Sequence, residues 1–222
     1  MIVIMGKEIP ENLRDILQPE HTAVVVHDMQ NDFIAPEGVY SKAGRGIDVS
    51  NILPPLVEFV KAARERGVRI IYTQYTNIPD AASLDAPLIY TYLDAFKDPS
   101  TPNPFAFTLD GTWGWRTIDE LAPQENEIIV RKYRVDSFVG SNFELVLLSR
   151  GIRTIIHTGI SVWMGILPTA LHASNLGFFT VLPEDCIASG ESKELHEDAM
   201  RILRRRVTKV TTSSEIVNIW KP

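Results

Sequence analysis

Thr22-Ala-Val-Val-Val-His27, running directly into Asp28-Met-Gln-Asn-Asp-Phe33, is the most telling stretch of the chain. A β-branched run without polar alternation reads as a strand covered on both faces, the pattern of a parallel sheet rather than a half-exposed antiparallel one. Five further runs of the same kind follow: 69–73 (RIIYT), 127–130 (EIIV), 153–157 (RTIIH), 178–182 (FFTVL) and 207–210 (VTKV). Segments of helical period separate them. Residues 51–66 begin with Pro54 and Pro55, place Leu56, Phe59, Val60 and Ala63 on one stripe, and stop at Gly67. Residues 142–150, 164–175 and 191–205 repeat the pattern, the last with its acids early and Arg201, Arg204, Arg205 and Arg206 late, as the helix dipole favours. Strand and helix in alternation imply right-handed crossovers. The expected fold is therefore α/β: a three-layer α/β/α, Rossmann-like, doubly wound domain on a six-stranded parallel sheet.

The chain has 222 residues, 45% of them hydrophobic and 23% charged, enough for one well-buried core, so a single domain over 1–222 is expected. The net charge of −6 supplies no basic field for a phosphate backbone, which argues against nucleic acid as a partner and for a small molecule. No run approaches the roughly 18 apolar residues that span a bilayer, and the apolar start is too short for a signal peptide, so no membrane association is expected. The lone cysteine, Cys186, suits a reducing, cytoplasmic setting and reads as a small buried packing residue.

One crossover departs from the pattern. Residues 75–124 hold five prolines between 79 and 104 and the cluster Thr112-Trp113-Gly114-Trp115, with room for a short helix near 87–96. Loops of this length in compact domains are usually lids or binding loops.

Ligands of open parallel sheets lie beyond the carboxyl ends of the strands, where strand order reverses. The first strand ends in His27-Asp28, the third in Arg131-Lys132, and the fourth in Thr158-Gly159-Ile160-Ser161 before a helix start. An aspartate beside a lysine on a desolvated edge is either a structural ion pair or a proton-handling pair, and a helix start can face an oxyanion. Gln74, Tyr75 and Asn77, past the second strand, are candidate substrate contacts. Phe33, Trp113, Trp115 and Trp163 are candidate pocket walls.

Three segments, TAVVVHDMQNDF (22–33), VRKYRVDSFVGSNFELVLLSRGIRTIIHTGI (130–160) and GILPTALHASNLGFFTVLPEDCIAS (165–189), resemble the isochorismatase-like hydrolase family, within the cysteine hydrolase superfamily, in order and over about residues 20–215. The resemblance implies the same six-stranded fold, a catalytic Asp28 and a catalytic Lys132. It implies a non-proline cis peptide at Ile160–Ser161, with the N–H groups of Ser161 and Gly165 forming an oxyanion hole. It places Gly165 where most members carry the nucleophilic cysteine, so the covalent acyl-enzyme route is closed. True isochorismatases also have glycine there and share His27-Asp28-Met29-Gln30. Where they have tyrosine, alanine and histidine before the glycine, this chain has Ser161-Val162-Trp163-Met164, and its segment around Phe105, Phe107, Trp113 and Trp115 is similar to that of family amidases too. The zinc of family nicotinamidases is held by an aspartate and two histidines after the second strand; residues 77–93 here (NIPDAASLDAPLIYTYL) contain no histidine. No metal and no cofactor are expected, and His27 reads as a core residue.

The expectation is a hydrolase acting on a small polar metabolite through Asp28 and Lys132 without a thioester, foremost by vinyl-ether hydrolysis of the isochorismate type. The alternatives are C–N hydrolysis by activated water and a catalytically silent metabolite-binding member. The resemblance also implies a homo-oligomer, dimer or tetramer, for which Ile216, Val217, Ile219 and Trp220 are an expected exposed patch.

Overall fold

The computed structural model describes residues 1–91, 106–190 and 192–221. The chain opens with a small antiparallel hairpin, β1 (Ile2–Ile4) and β2 (Lys7–Ile9), followed by α1 (Leu13–Ile16) and β3 (Thr22–His27). Next come α2 (Asn31–Ile34), α3 (Val39–Lys42), α4 (Leu53–Glu65), β4 (Arg69–Tyr75), α5 (Ala86–Thr91) and β5 (Ile128–Lys132). The second half contains α6 (Phe143–Ser149), β6 (Thr154–Ile160), α7 (Leu167–Asn175), β7 (Phe179–Pro183), β8 (Ile187–Ala188), α8 (Lys193–Arg206), β9 (Lys209–Thr211) and α9 (Ser213–Trp220).

The main sheet runs β5-β4-β3-β6-β7-β9, every pairing parallel, which is the doubly wound order expected of such a fold. It has seven strands rather than six, because the two residues of β8 pair with the end of β6. The hairpin β1–β2 was not legible as strands: it stands outside the main sheet, and its apolar residues are exposed. The expected helix near 87–96 is present as α5, and its remainder lies outside the described residues, as do Phe105 and Glu191.

Alternation along the strands builds apolar cores on both faces of the sheet. Val24, Val26, Ile70, Tyr72 and Ile156 pack against Leu56, Phe59 and Val60 of α4 and Ile216 and Trp220 of α9. On the other face Ala23, Val25, Ile71, Val130 and Ile155 meet Phe143 and Leu147 of α6 and Ala173 of α7. The expected apolar patch at the C-terminus is therefore corrected. Ile216 and Trp220 are buried, Val217 and Ile219 pack against the same core, and the Trp220 indole N–H donates to the Leu17 carbonyl at 2.8 Å. Periodicity alone could not show which apolar stripe the sheet would claim.

Strand order reverses between β3 and β6, and a close backbone approach marks the spot. Gly159 has φ +92°, and a Cβ there would lie 2.3 Å from the His27 carbonyl oxygen. Below it, inside the sheet's second face, lies a buried polar layer. Thr73 Oγ1 is 3.0 Å from His27 Nδ1, and His27 Nε2 is 3.0 Å from His157 Nδ1, with the two rings stacked. His27 is thus a core residue. Burial first, then the neighbouring His157 and Lys132, hold its pKa well below 6.5; burial alone lowers that of His157 to about 3.

Replacing Gly159 by Ala is expected to destabilise the fold by about 3 kcal/mol or more, since the left-handed backbone and the clash with main chain add, as read by urea unfolding. Both histidines bind a proton more weakly in the fold than in the unfolded chain. Lowering the pH below about 6.5 therefore favours unfolding, by up to about 1.4 kcal/mol per pH unit per histidine. Unfolding free energies measured between pH 7 and pH 5 should show this slope, and His157→Gln should flatten it.

Candidate active site

Asp28 follows the last residue of β3 and is held at a left-handed φ of +50°, its N–H donating to the Thr73 carbonyl at 3.0 Å. Such a conformation in a non-glycine residue is costly and concentrates at functional positions. It turns the carboxylate across the sheet's end toward β5, where Lys132 is the final strand residue. Asp28 Oδ2 and Lys132 Nζ are 2.6 Å apart, and both residues are buried, Lys132 almost completely. The Tyr75 N–H donates to the other carboxylate oxygen at 3.1 Å, and Lys132 Nζ also donates to the Val135 carbonyl at 3.0 Å. Burial pushes the Asp28 carboxyl above the ordinary carboxylate range, outweighing the opposing pull of the Lys132 charge and of the hydrogen bonds from Lys132 and Tyr75.

The third wall comes from β6. The peptide bond Ile160–Ser161 is cis, as the resemblance implies, and Val162–Ile166 forms a wide helical turn ahead of α7. Gly165 faces the ion pair: a Cβ built on it would lie 3.3 Å from Lys132 Nζ and 3.4 Å from Asp28 Oδ2. The Gly165 N–H, expected as an oxyanion donor, instead donates to the Ser161 carbonyl at 2.9 Å. The Ser161 hydroxyl is buried with no hydrogen-bond partner among the described groups. Asp28, Lys132 and Gly165, distant in sequence, thus meet at one point.

The remaining candidates divide by what they touch. Phe33 lies in an aromatic cluster with Tyr40 and Phe107, and Phe107 stacks on Tyr75 at 5.9 Å, close to the Asp28 carboxylate that Tyr75 holds. Trp115 is buried, its indole N–H donating to Thr76 Oγ1 at 2.9 Å, with the Arg131 guanidinium over its ring. Asn77 donates to the Phe107 carbonyl, and Gln74 donates to Thr117. These side chains serve the segment around 107–118; Gln74 pairs in register with Arg131, on the strand face opposite that of its neighbour Lys132. Trp113 is half exposed, and Trp163 packs against the apolar cluster under α8.

The clasp that holds that segment was not legible in the sequence. Gln30 donates to the carbonyls of Tyr75 and Trp115, Asn31 to that of Trp113, and the Asp32 carboxylate accepts the N–H groups of Val39 and Thr108. Gly114 is required there, because a Cβ would lie 2.1 Å from Asp32 Oδ2. Three consecutive amide and acid side chains after a buried strand were the available sign of a loop clasp. Cys186 is fully buried, with its thiol pushed up by burial. Among the described residues no group of three His, Cys, Asp or Glu could hold a metal ion, and no helix is long and apolar enough to cross a membrane.

Comparison with known proteins places the chain in a family. The ureidoacrylate amidohydrolase of Azorhizobium caulinodans is 33% identical over 171 residues, covering 75% of each chain. Among solved structures, a cysteine hydrolase from Pseudomonas syringae pv. phaseolicola superposes with a TM-score of 0.76 at 21% identity, over 91% of this chain and 93% of the other. An isochorismatase-like hydrolase from Alkaliphilus metalliredigens gives 0.70 at 26% identity, over 90% and 99%. Residues 22–215 match the family model described as the isochorismatase domain, and the chain belongs to that family of hydrolases.

Proposed function

We propose that this hydrolase acts on a small polar metabolite by direct proton transfer and water attack at Asp28 and Lys132, with no covalent thioester. The observation that carries the reading is the bare approach of Gly165 to the ion pair: the position from which a side chain would reach both charged groups has none. The chain's single thiol is buried in the core. Gly165 then stands at the place of the family's nucleophilic cysteine, its bare face turned toward both charged groups.

A carboxyl raised by burial is suited to give up a proton. In vinyl-ether hydrolysis Asp28 protonates the terminal enol carbon, and Lys132 stabilises the carboxylate left behind. Water adds to the resulting oxocarbenium carbon, and the hemiketal breaks to pyruvate and an alcohol. The Ser161 N–H and hydroxyl and the aromatic group around Phe33 and Tyr75 line the approach, with Trp113 and Trp163 as outer walls. No metal or cofactor enters this scheme.

One observation favours a second reading. The 33% identity to an amidohydrolase of ureidoacrylate supports C–N cleavage, in which Asp28 takes a proton from water held over Gly165. The proposal also includes one domain over 1–222, a cytoplasmic setting and assembly as a homo-oligomer, dimer or tetramer. Exposed Leu145 and Leu148 on α6 and nearby Val139 suit such packing.

The test pairs isochorismate, read by pyruvate release, with ureidoacrylate, read by ammonia release. Asp28→Asn and Lys132→Met are each expected to lower kcat/KM on the true substrate by about 100-fold or more. The pH profile separates the chemistries. A general acid loses rate as pH rises through the raised pKa of Asp28, whereas a general base gains it. Absence of turnover with both substrates, alongside binding of either, would move the assignment to a metabolite-binding protein.

A further inference from the structure

Besides Asp28, the Lys132 ammonium is held by a carbonyl in an irregular loop. That carbonyl, of Val135, accepts from Nζ at 3.0 Å. The next two residues are both tied to α7. The Ser137 N–H donates to Thr169 Oγ1 at 3.0 Å, and the same hydroxyl donates to the Gly165 carbonyl at 2.8 Å. Ser137 and Thr169 are completely buried. One turn along α7, His172 Nδ1 lies 2.7 Å from Asp136 Oδ2, while Asp136 Oδ1 accepts the Phe138 N–H.

A threonine hydroxyl bonded back to the carbonyl four residues earlier is ordinary in helices. Here that hydroxyl has a second partner from another element, so a single buried oxygen joins the loop supporting Lys132 to the turn carrying Gly165. Both ends of this link lie next to the reacting groups: Val135 touches Nζ, and a Cβ built on Gly165 would lie 3.3 Å from it. Removing the hydroxyl would leave the buried Ser137 N–H short of a partner, and the loop would shift to recover one.

We infer that Thr169 is a positioning residue for Lys132, setting the separation of its ammonium from the Gly165 face, with His172 as a second tie through Asp136. The assignment rests on the reading that Lys132 is the working cation, and it predicts a loss in kcat with KM little changed in Thr169→Val, recovered in Thr169→Ser.

A test independent of substrate uses Gly165→Cys as a probe. Its thiol would stand beside both Lys132 Nζ and Asp28 Oδ2, so its pKa would be lowered by the ammonium, raised by the carboxylate, and would rise when the ammonium moves away. The pH dependence of alkylation by iodoacetamide is followed by intact mass, with the unsubstituted protein, whose Cys186 is buried, as the blank. Adding Thr169→Val is expected to raise the alkylation midpoint by about one pH unit, and Thr169→Ser to return it. An unchanged midpoint in a folded Thr169→Val protein overturns the assignment. Should that variant not fold, His172→Ala, at a part-exposed site, is read in the same way: an upward shift supports positioning from α7, and no shift overturns it. Failure of both substrates in the activity assay would leave this thiol measurement intact, so the two readings fail separately.

Discussion

The desolvated pairing of Asp28 with Lys132 is the constraint around which the rest of the structure is arranged. Two opposite charges withdrawn from water cost several kcal/mol unless geometry and further hydrogen bonds compensate. Here the contact is 2.6 Å, the second carboxylate oxygen takes the Tyr75 N–H, and the ammonium takes the Val135 carbonyl. Those partners come from β3, β4, β5 and the loop beyond it, so the pair exists only when four adjoining pieces of chain are in register. The neutral histidines beneath it follow from the same logic. A protonated imidazole at His27 would add positive charge next to Lys132 in a dry interior, and burial already disfavours it.

The run from His27 to Phe33 serves several ends within seven residues. His27 faces inward to His157, Asp28 turns outward to Lys132, and Gln30, Asn31 and Asp32 clasp the segment that covers the sheet's end. With net contributions of about 1 kcal/mol per hydrogen bond, these clasps together are worth several kcal/mol of local order. The segment near Trp113 to Thr117, part of the crossover expected as a lid or binding loop, is therefore tied down along its length. Its tryptophans differ accordingly: Trp115 is fixed inside by Thr76 and Arg131, and Trp113 remains half exposed.

Glycine at 165 changes what such a site can do. The two groups that would activate a thiol are both present and close to it, yet the fold's one cysteine lies in the apolar core beside β7 and α9. On the proposed reading, the charge pair acts through the carboxyl itself and water. The retained strain at Asp28 and the raised pKa of its carboxyl are consistent with proton transfer.

The six main strands, the principal helices and the meeting of strand ends near His27-Asp28, Lys132 and Ser161 were all legible in the chain, because burial on both faces of a parallel sheet leaves β-branched runs and helical stripes that local composition displays directly. Side-chain partners were not legible in that way. Whether Ile216 and Trp220 faced solvent or core, whether Gln74 joined the pair or Thr117, and which carbonyls received Lys132 and Thr169 depend on elements far apart in sequence. Such contacts form only after the sheet's register and twist bring those elements together, and a one-residue change of register would send each side chain to the opposite face.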